Sequence, residues 1–252
     1  HLLTDLSTPL NWFQSTSKPY TLIARPELRA QVGIDWFEPE FWQEKGAVAG
    51  LSHGRYITYF VSYQMPQQPE LNMVLRHYYR GGLIQKISKD KFVYTGLHKT
   101  RAVAELIMLE KMRELGLPVP KPIAARVERV GLFNCRNDIL IETIKDAVDG
   151  FKLLKKSNLS SDTWFNIGAT IRRFHVQGVY HSDLNIHNIL IDRDQQVYVI
   201  DFDRCEFREP SDDWQQQNLQ RLQRSLNKEK GLFPDFNYAN TDWQQLMAGY
   251  NS

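Results

Sequence analysis

Three polar side chains within one short stretch could carry out phosphoryl-transfer chemistry. Asp183 and Asn188 lie five residues apart, and Asp201 follows at the end of an apolar segment. Carboxylate and amide oxygens suit Mg²⁺, which also accepts phosphate oxygens and water as ligands. We therefore predict that Asn188 and Asp201 hold a magnesium ion. Asp183 is then expected to orient an attacking hydroxyl group and to take its proton.

A β-hairpin is predicted to bring these side chains together. Asn188–Ile191 and Val197–Ile200 have the composition of short strands, and the polar residues 192–196 between them are typical of a turn. A hairpin of this size places Asn188 beside Asp201, with Asp183 on the loop just ahead of them.

The spacing of these residues matches a known pair of motifs. H-x-D-L-x-x-x-N followed by D-F-x is typical of the catalytic and metal loops of the protein-kinase fold. Asp203 stands where protein kinases carry glycine. It is expected either to reach a second metal ion or to bind Arg204 or the backbone. The motif positions are filled in order by His181, Asp183, Leu184, Asn188, Asp201 and Phe202.

Small residues upstream indicate a loop that could approach the phosphates of ATP. Gly50, Ser52 and Gly54 fall at the predicted bend between two strands, where backbone N–H groups can face an anion. The G-x-G-x-x-G pattern is absent, so the position of this bend ahead of the next strand is the main argument for it.

A strand cation and a helix carboxylate are expected to complete the nucleotide site. Arg76 ends a segment resembling the V-A-I-K strand of protein kinases, in which a lysine contacts the phosphates. Lys86 is the alternative candidate. Glu105, on a helix predicted over residues 99–115, is the expected partner of this cation. Glu110 on the same helix is predicted to be solvated.

The order of predicted elements indicates an α+β, bilobal, protein-kinase-like fold. An antiparallel sheet and one helix form the first lobe, residues 1–144, and a mostly helical second lobe covers residues 145–252. Strands are predicted over residues 123–127 and 138–144. The end of the second, at Glu142, is expected to form an edge whose backbone groups meet an adenine ring.

Composition narrows the possible function classes. The chain has 252 residues, of which 42% are hydrophobic, and a net charge of +2, so we expect no nucleic-acid partner. Its two cysteines lack metal-ligand spacing, which indicates a reducing compartment. No apolar segment is long enough to span a bilayer and no signal peptide is recognised, although the chain begins at His1. A cytoplasmic location is expected.

Four aromatic side chains on a predicted helix have two interpretations. Asp35–Lys45 has helical spacing and carries Trp36, Phe37, Phe41 and Trp42. We expect these rings to belong to a hydrophobic core, although an amphipathic helix on a lipid surface would have a similar pattern.

The segment after Asp201 argues against a peptide substrate. Peptide-directed kinases need a long activation segment and an A-P-E anchor. Here no A-P-E motif occurs, and a helix is predicted to begin near Asp212. The acceptor is therefore expected to be small, or to be presented at a surface.

Four sequence blocks resemble the 3-deoxy-D-manno-octulosonic acid (Kdo) kinases of Gram-negative bacteria. The blocks are LRHYYRGGL, GLPVPKPIAAR, HSDLNIHNILID and VIDFDRC. The third and fourth indicate only a kinase-like protein, whereas the first and second are specific to this family. The resemblance implies ATP- and Mg²⁺-dependent phosphorylation of the 4-hydroxyl of Kdo on a lipid A precursor, in lipopolysaccharide core biosynthesis. The Asp203 departure belongs to the same family pattern.

The resemblance also implies work at the cytoplasmic face of the inner membrane. Kdo carries a carboxylate and lipid A precursors carry phosphates, which suit arginine and lysine side chains. Peripheral contact with an anionic membrane surface is therefore expected. Two alternatives are a kinase for another small molecule, such as an aminoglycoside or an amino alcohol, and an inactive nucleotide-binding module. Candidate cations in the first lobe are Arg76, His77, Arg80, Lys86, Lys89 and Lys91.

Overall fold

The computed structural model describes residues 11–53, 57–81 and 89–252, which form two compact units. The first unit contains residues 11–110 and 121–143. The second contains residues 111–120 and 144–252. Among the described residues, no helix combines the length and the hydropathy needed to cross a bilayer.

An antiparallel sheet forms the scaffold of the first unit. In the described chain its strands follow the order β1-β2-β7-β8-β5-β4-β3, and β6 pairs with β8. The first strand forms in a polar segment because it pairs along the whole of β2. The strands are β1 (Phe13–Ser17), β2 (Tyr20–Ala24), β3 (Val48–His53), β4 (Ile57–Tyr63), β5 (Leu71–His77), β6 (Phe92–Val93), β7 (Pro122–Val130) and β8 (Asn134–Glu142).

The aromatic segment packs into the core of this unit. Trp36 and Phe37 are 2% exposed and Trp42 is fully buried, so the core interpretation is confirmed and the lipid-surface alternative is wrong for these three rings. The Trp42 indole donates to the carbonyl of Trp36 at 2.7 Å. The predicted single helix is divided into a 3-10 helix, Ile34–Phe37, and α1 (Pro39–Glu44). Glu38 between them is extended because it precedes a proline.

The predicted long helix of the first lobe is confirmed as α2 (Arg101–Glu114). Its apolar face is buried, and Glu105 is buried with it. Glu110 is not solvated as predicted, because its carboxylate is bound by the Arg25 guanidinium at 2.8 Å.

The second unit is mainly helical. Its helices are α3 (Gly150–Lys156), α4 (Ser161–Val176), α5 (Asp212–Leu232) and α6 (Asn240–Tyr250). Helices α4 and α6 approach closely at two glycines. A Cβ atom at Gly168 would lie 1.8 Å from the carbonyl oxygen of Leu246, and one at Gly249 would lie 1.9 Å from that of Phe165. Short strands complete the unit: β9 (Val148–Asp149), β10 (Val179–Tyr180), β11 (Ile189–Ile191), β12 (Val197–Val199) and β13 (Glu206–Phe207).

Candidate active site

The predicted hairpin is confirmed in the second unit as β11 and β12. Its register pairs Ile189 with Val199 and Ile191 with Val197, and β9 adds a third strand next to β11. The turn is closed by Asp192, whose carboxylate accepts from the backbone N–H groups of Asp194 and Gln196, both at 2.9 Å. This local network fixes the ends of the two strands relative to one another.

The hairpin ends place Asn188 next to the residue that precedes Asp201. The Ile200 N–H donates to the carbonyl of Asn188 at 3.0 Å. The Asn188 side-chain NH₂ donates to the backbone carbonyl of Asp183 at 2.9 Å, so its Oδ1 is the atom left as an acceptor or ligand. Asp201 is exposed and has a φ of 66°, a left-handed conformation that is uncommon outside glycine. Strained backbone of this kind concentrates at functional sites.

His181 supports the loop that carries Asp183. Its Nδ1 accepts from the Asp183 N–H at 3.0 Å, so Nε2 carries the proton and donates to the Ile200 carbonyl at 3.0 Å. Burial lowers the pKa of His181 below its usual value, which agrees with the neutral imidazole that these two bonds require. The ring also contacts Phe202 edge-on, with centroids 4.9 Å apart. His181 thus links the loop that carries Asp183 to the loop that carries Asp201.

Asp183 itself is open to solvent. Its carboxylate is 56% exposed and lies 3.3 Å from the guanidinium of Arg221 on α5. Leu184 and Ile186, which follow it, are buried and anchor the loop in the core of the unit. Asp183 is therefore fixed through its backbone while its side chain remains accessible to a substrate.

Helix α5 contacts the loop 181–187 along most of its length. These contacts were not predicted from the sequence. Asn218 accepts from the N–H of His181 at 3.2 Å and donates to its carbonyl at 3.1 Å. Ser225 accepts from the Ile186 N–H at 3.1 Å, and Glu229 binds the His187 ring at 3.2 Å. With Arg221, these contacts follow one side of the helix at positions 218, 221, 225 and 229. The available sequence signal was polar side chains, such as Asn218, on the otherwise apolar face of the helix.

The backbone of Asp203 joins the two loops. Its carbonyl accepts from the Ser182 hydroxyl at 2.8 Å. Arg204, the next residue, has a φ of 60°, so two non-glycine residues of this loop are left-handed. Whether the Asp203 carboxylate reaches a second metal stays a prediction.

In the first unit, Arg76 and Glu105 form the expected ion pair. Arg76 Nη2 and Glu105 Oε2 are 2.5 Å apart, and the Tyr78 hydroxyl donates to Oε1 of the same carboxylate at 2.8 Å. The Glu105 side chain is almost fully buried, whereas that of Arg76 is 25% exposed. The carboxylate can thus orient the guanidinium while part of it remains accessible. The alternative cation, Lys86, lies outside the described residues.

Two residues of the predicted phosphate loop lie in a strand instead of a bend. Gly50 and Ser52 lie within strand β3, where they pair with Phe60 and Thr58, so their placement at the bend was wrong. The strand extends to His53 because its pairing with β4 continues that far. Gly54, the third residue of the predicted loop, lies outside the described residues.

The predicted adenine edge also needs correction. Strand β8 is central, because it pairs with β7 on one side and with β5 on the other. Its last residue, Glu142, uses its N–H to bind the carbonyl of Lys121 at 2.8 Å. Contact of Glu142 with an adenine ring stays a prediction.

The basic side chains expected to bind the acceptor are partly engaged within the first unit. His77 lies between Asp138, at 2.6 Å, and Asp90, at 2.8 Å. Burial opposes the charged imidazole, but these two carboxylates outweigh burial and raise the pKa of His77. Arg80 donates to the Lys91 carbonyl at 3.3 Å.

The donor set of the second unit fits a magnesium ion carried by a nucleotide. Among the described residues, no group of three or more His, Cys, Asp and Glu side chains is placed to hold a metal. Mg²⁺ bound to a nucleotide needs only one or two protein carboxylates, since phosphates and water supply the other ligands. The exposed Asp201 and the oriented amide oxygen of Asn188 meet that requirement.

Comparison with known proteins assigns the family. The sequence model of the lipopolysaccharide kinase (Kdo/WaaP) family matches residues 39–250 of this chain. The chain belongs to this family. Among its relatives, the 3-deoxy-D-manno-octulosonic acid kinase of Actinobacillus succinogenes is 42% identical over 220 residues, which cover 86% of this chain and 90% of the relative. The enzyme of the same name from Photobacterium damsela subsp. piscicida is 41% identical over 234 residues, which cover 91% of this chain and 93% of the relative.

A solved structure of a Kdo/WaaP family protein confirms the fold class. WaaP in complex with acyl carrier protein matches with a TM-score of 0.54 and 15% identity, over 91% of this chain and 88% of that one. The predicted α+β, protein-kinase-like fold is thereby confirmed. At this identity the match supports the fold and leaves the roles of individual residues as predictions.

Proposed function

We propose that this protein is an ATP-dependent 3-deoxy-D-manno-octulosonic acid kinase of lipopolysaccharide core biosynthesis. The acceptor is the 4-hydroxyl of Kdo on a lipid A precursor. The observation that carries the proposal is the exposed Asp183 carboxylate on a loop anchored at both ends, next to the oriented Asn188 amide. Sequence identity of 41–42% to proteins named Kdo kinases, over most of the chain, supports Kdo as the acceptor.

Asp183 is the proposed catalytic residue. Its carboxylate accepts a hydrogen bond from the acceptor hydroxyl and directs that oxygen at the γ-phosphorus of ATP. The new bond joins the sugar oxygen to phosphorus, the bond to the β,γ-bridging oxygen breaks, and ADP leaves. The hydroxyl proton passes to Asp183 late, because phosphoryl transfer proceeds through a loose transition state.

Asn188 and Asp201 are the proposed metal ligands. Mg²⁺ bound there would neutralise the charge of the transferred phosphoryl group. The hydrogen bond from the Asn188 NH₂ to the Asp183 carbonyl directs Oδ1 away from that loop. The left-handed backbone at Asp201 is the strained conformation that would present its carboxylate.

The nucleotide phosphates are assigned to the first unit. Arg76 would bind them, oriented by Glu105, and arginine offers a planar fork for this contact where most protein kinases use lysine. Gly54 is the remaining candidate of the predicted phosphate loop, Lys86 is the alternative cation to Arg76, and Glu142 would lie near the adenine.

Exposed cations on α5 suit an anionic acceptor. Arg221, Arg224 and Lys228 are exposed and recur at helical spacing, on the helix whose Arg221 contacts Asp183. Carboxylates and phosphates are the groups that such side chains bind. The proposed location is the cytoplasmic face of the inner membrane, in peripheral contact with anionic lipids.

The proposal is tested by product analysis. Purified protein is incubated with Mg·ATP and a Kdo-bearing lipid A precursor, and separately with an aminoglycoside or with no acceptor. The expected result is ADP formation that requires the Kdo acceptor, with the new phosphate at the 4-position by phosphorus and proton NMR. Transfer to the aminoglycoside alone would assign the small-molecule alternative, and no acceptor-dependent transfer would refute the function.

A further inference from the structure

Exposed apolar side chains lie at the tip of the β7–β8 hairpin in the described part of the first unit. Leu132 is 81% exposed and Phe133 is 73% exposed, and both belong to the turn between the two strands. Val93, at 68%, lies beside them on β6, where it pairs with Asn134. In the described part of the chain, these are the most exposed of the large hydrophobic side chains. We call Val93, Leu132 and Phe133 the apolar tip.

The structure holds the apolar tip in place. Gly131 has a φ of 62°, which lets the chain turn tightly between β7 and β8. The Tyr94 N–H donates to the Phe133 carbonyl at 2.8 Å, and the Arg129 guanidinium donates to the Leu132 carbonyl at 3.0 Å. The same guanidinium lies 3.7 Å from the centre of the Tyr94 ring. The tip is thus a fixed projection with a cation and an aromatic ring at its base.

The charge around the tip is positive. Arg129 is exposed at its base. Lys18 is also exposed and belongs to the neighbouring β1–β2 turn, which is joined to β7 by the bond from the Arg129 N–H to the Pro19 carbonyl, at 2.8 Å. The acidic side chains of Glu128 and Asp90 are both ion-paired with Arg136. Apolar side chains flanked by cations are the features that bind an anionic lipid surface.

The size of the tip also favours lipid over a protein partner. An aromatic side chain such as Phe133 covers on the order of 200 Å², and leucine and valine are smaller. Three such side chains fall short of the roughly 800 Å² per partner of a specific protein–protein interface. Reversible attachment to a bilayer needs only a few inserted apolar side chains together with nearby positive charge.

We infer that the apolar tip, with Arg129 and Lys18, docks the protein on an anionic phospholipid surface. The inference rests on the proposed function, because a lipid-linked acceptor requires the enzyme to work at a bilayer. The apolar tip thus takes the place of the aromatic segment 35–45 as the candidate for membrane contact, because Trp36, Phe37 and Trp42 are buried.

Vesicle co-sedimentation tests this inference without nucleotide or acceptor. Purified protein is mixed with vesicles of phosphatidylethanolamine and phosphatidylglycerol, and with vesicles of phosphatidylcholine alone. The double variant Leu132→Ser/Phe133→Ser is compared with Leu232→Ser, which alters a side chain 62% exposed at the end of α5. We expect the double variant to weaken binding to the anionic vesicles by about tenfold or more, and Leu232→Ser to leave it unchanged. Both should keep the wild-type melting temperature, since the altered side chains are exposed.

Four results would overturn the inference. The first is that the wild type does not bind the anionic vesicles, and the second is that the double variant binds them as the wild type does. The third is that Leu232→Ser loses as much vesicle binding as the double variant. The fourth is that the wild type is a dimer and the double variant a monomer, while vesicle binding is unchanged. The last would assign the tip to a second copy of the chain.

A parallel assay separates this inference from the proposed function. Activity is measured on a deacylated, water-soluble Kdo acceptor, where we expect the double variant to match the wild type. On the bilayer-embedded acceptor its apparent KM should rise. Wild-type protein that binds vesicles but phosphorylates neither acceptor would refute the function and leave the docking surface standing.

Discussion

Arg221 donates a hydrogen bond from Nη1 to Oδ1 of Asp183, at 3.3 Å. The two residues are 38 positions apart in the chain, and both side chains are about half exposed. Arg221 follows Asn218 by one helical turn, and Asn218 holds the backbone of His181 in the same loop. The carboxylate proposed to orient the acceptor hydroxyl is therefore itself positioned by a helix that comes after the metal loop.

Arg221→Ala is predicted to lower kcat by roughly tenfold, because a misplaced carboxylate reduces the fraction of productive complexes. Stability should change by less than about 1 kcal/mol, since exposed ion pairs contribute little. The matched control is Arg193→Ala. Arg193 lies on the hairpin turn and forms another exposed ion pair, with Asp146 at 3.4 Å, which this change removes. Steady-state kinetics and thermal melts check both variants. A kcat for Arg221→Ala equal to that of the control would exclude a positioning role.

The Arg76–Glu105 pair gives a prediction with two separable readouts. Arg76→Ala leaves the buried Glu105 carboxylate without this partner and should cost on the order of 3 kcal/mol of stability. Arg76→Ala/Glu105→Gln should recover most of that loss, because a neutral amide needs no counter-charge. The KM for ATP should stay at least about tenfold raised in both variants, since the phosphate contact is absent from each.

Lys86→Ala is the comparison variant for this prediction, because Lys86 was the alternative phosphate ligand. Urea unfolding and ATP kinetics are measured for all three variants. If Lys86→Ala raises the ATP KM while Arg76→Ala leaves it at the wild-type value, the assignment of Arg76 is incorrect.

His175 predicts how stability depends on pH. It is 1% exposed and binds the Tyr250 hydroxyl at 2.7 Å and Asn218 at 3.3 Å. Burial lowers its pKa to about 4. Between the unfolded value near 6.5 and the folded value, only the unfolded state takes up the proton. The contribution of neutral His175 to the free energy of unfolding is therefore fully present above about pH 6.5 and declines as the pH falls towards 4. This contribution is about 3 kcal/mol in total.

The test of this prediction is the pH slope of the unfolding free energy. His175→Gln removes the titrating ring, so its stability should decline less between pH 6.5 and 4 than that of the wild type. Parallel curves for wild type and His175→Gln would show that His175 does not cause the acid loss.

Asp201 and Asp183 are predicted to differ in nucleotide binding. Asp201→Ala removes a metal ligand, so the affinity for Mg·ATP should fall by about tenfold or more. Asp183→Asn removes only the group that faces the acceptor, so its affinity for Mg·ATP should match the wild type. Asp194→Ala, on the exposed hairpin turn, is the control. Calorimetric titration separates the variants, and equal affinities in Asp201→Ala and Asp183→Asn would refute this division of roles.

The hairpin of the candidate site could be predicted from sequence because its contacts are local. The hairpin follows from two short apolar segments and a polar turn, and it brings Asn188 next to Ile200, the residue before Asp201. The pairing of Arg76 with Glu105 was predicted, with Lys86 as the alternative cation, because a charged strand residue and a helix carboxylate match a known arrangement.

The errors and omissions have physical causes that a linear pattern does not contain. Gly50 and Ser52 are small enough for a turn, but pairing with β4 extends the strand through them. Arg25 neutralises Glu110 across 85 positions, and Arg221 reaches Asp183 across 38. Such contacts depend on which helix and strand faces meet, and helical periodicity specifies only which face is apolar.

The most direct test of the account is the turnover of Asp183→Asn with Mg·ATP and the Kdo-bearing lipid A precursor. Asparagine keeps the size of the side chain but cannot accept the proton of the acceptor hydroxyl. We predict that kcat falls by about 10²-fold or more. Near-native turnover in Asp183→Asn would contradict the assignment of Asp183 as the catalytic residue.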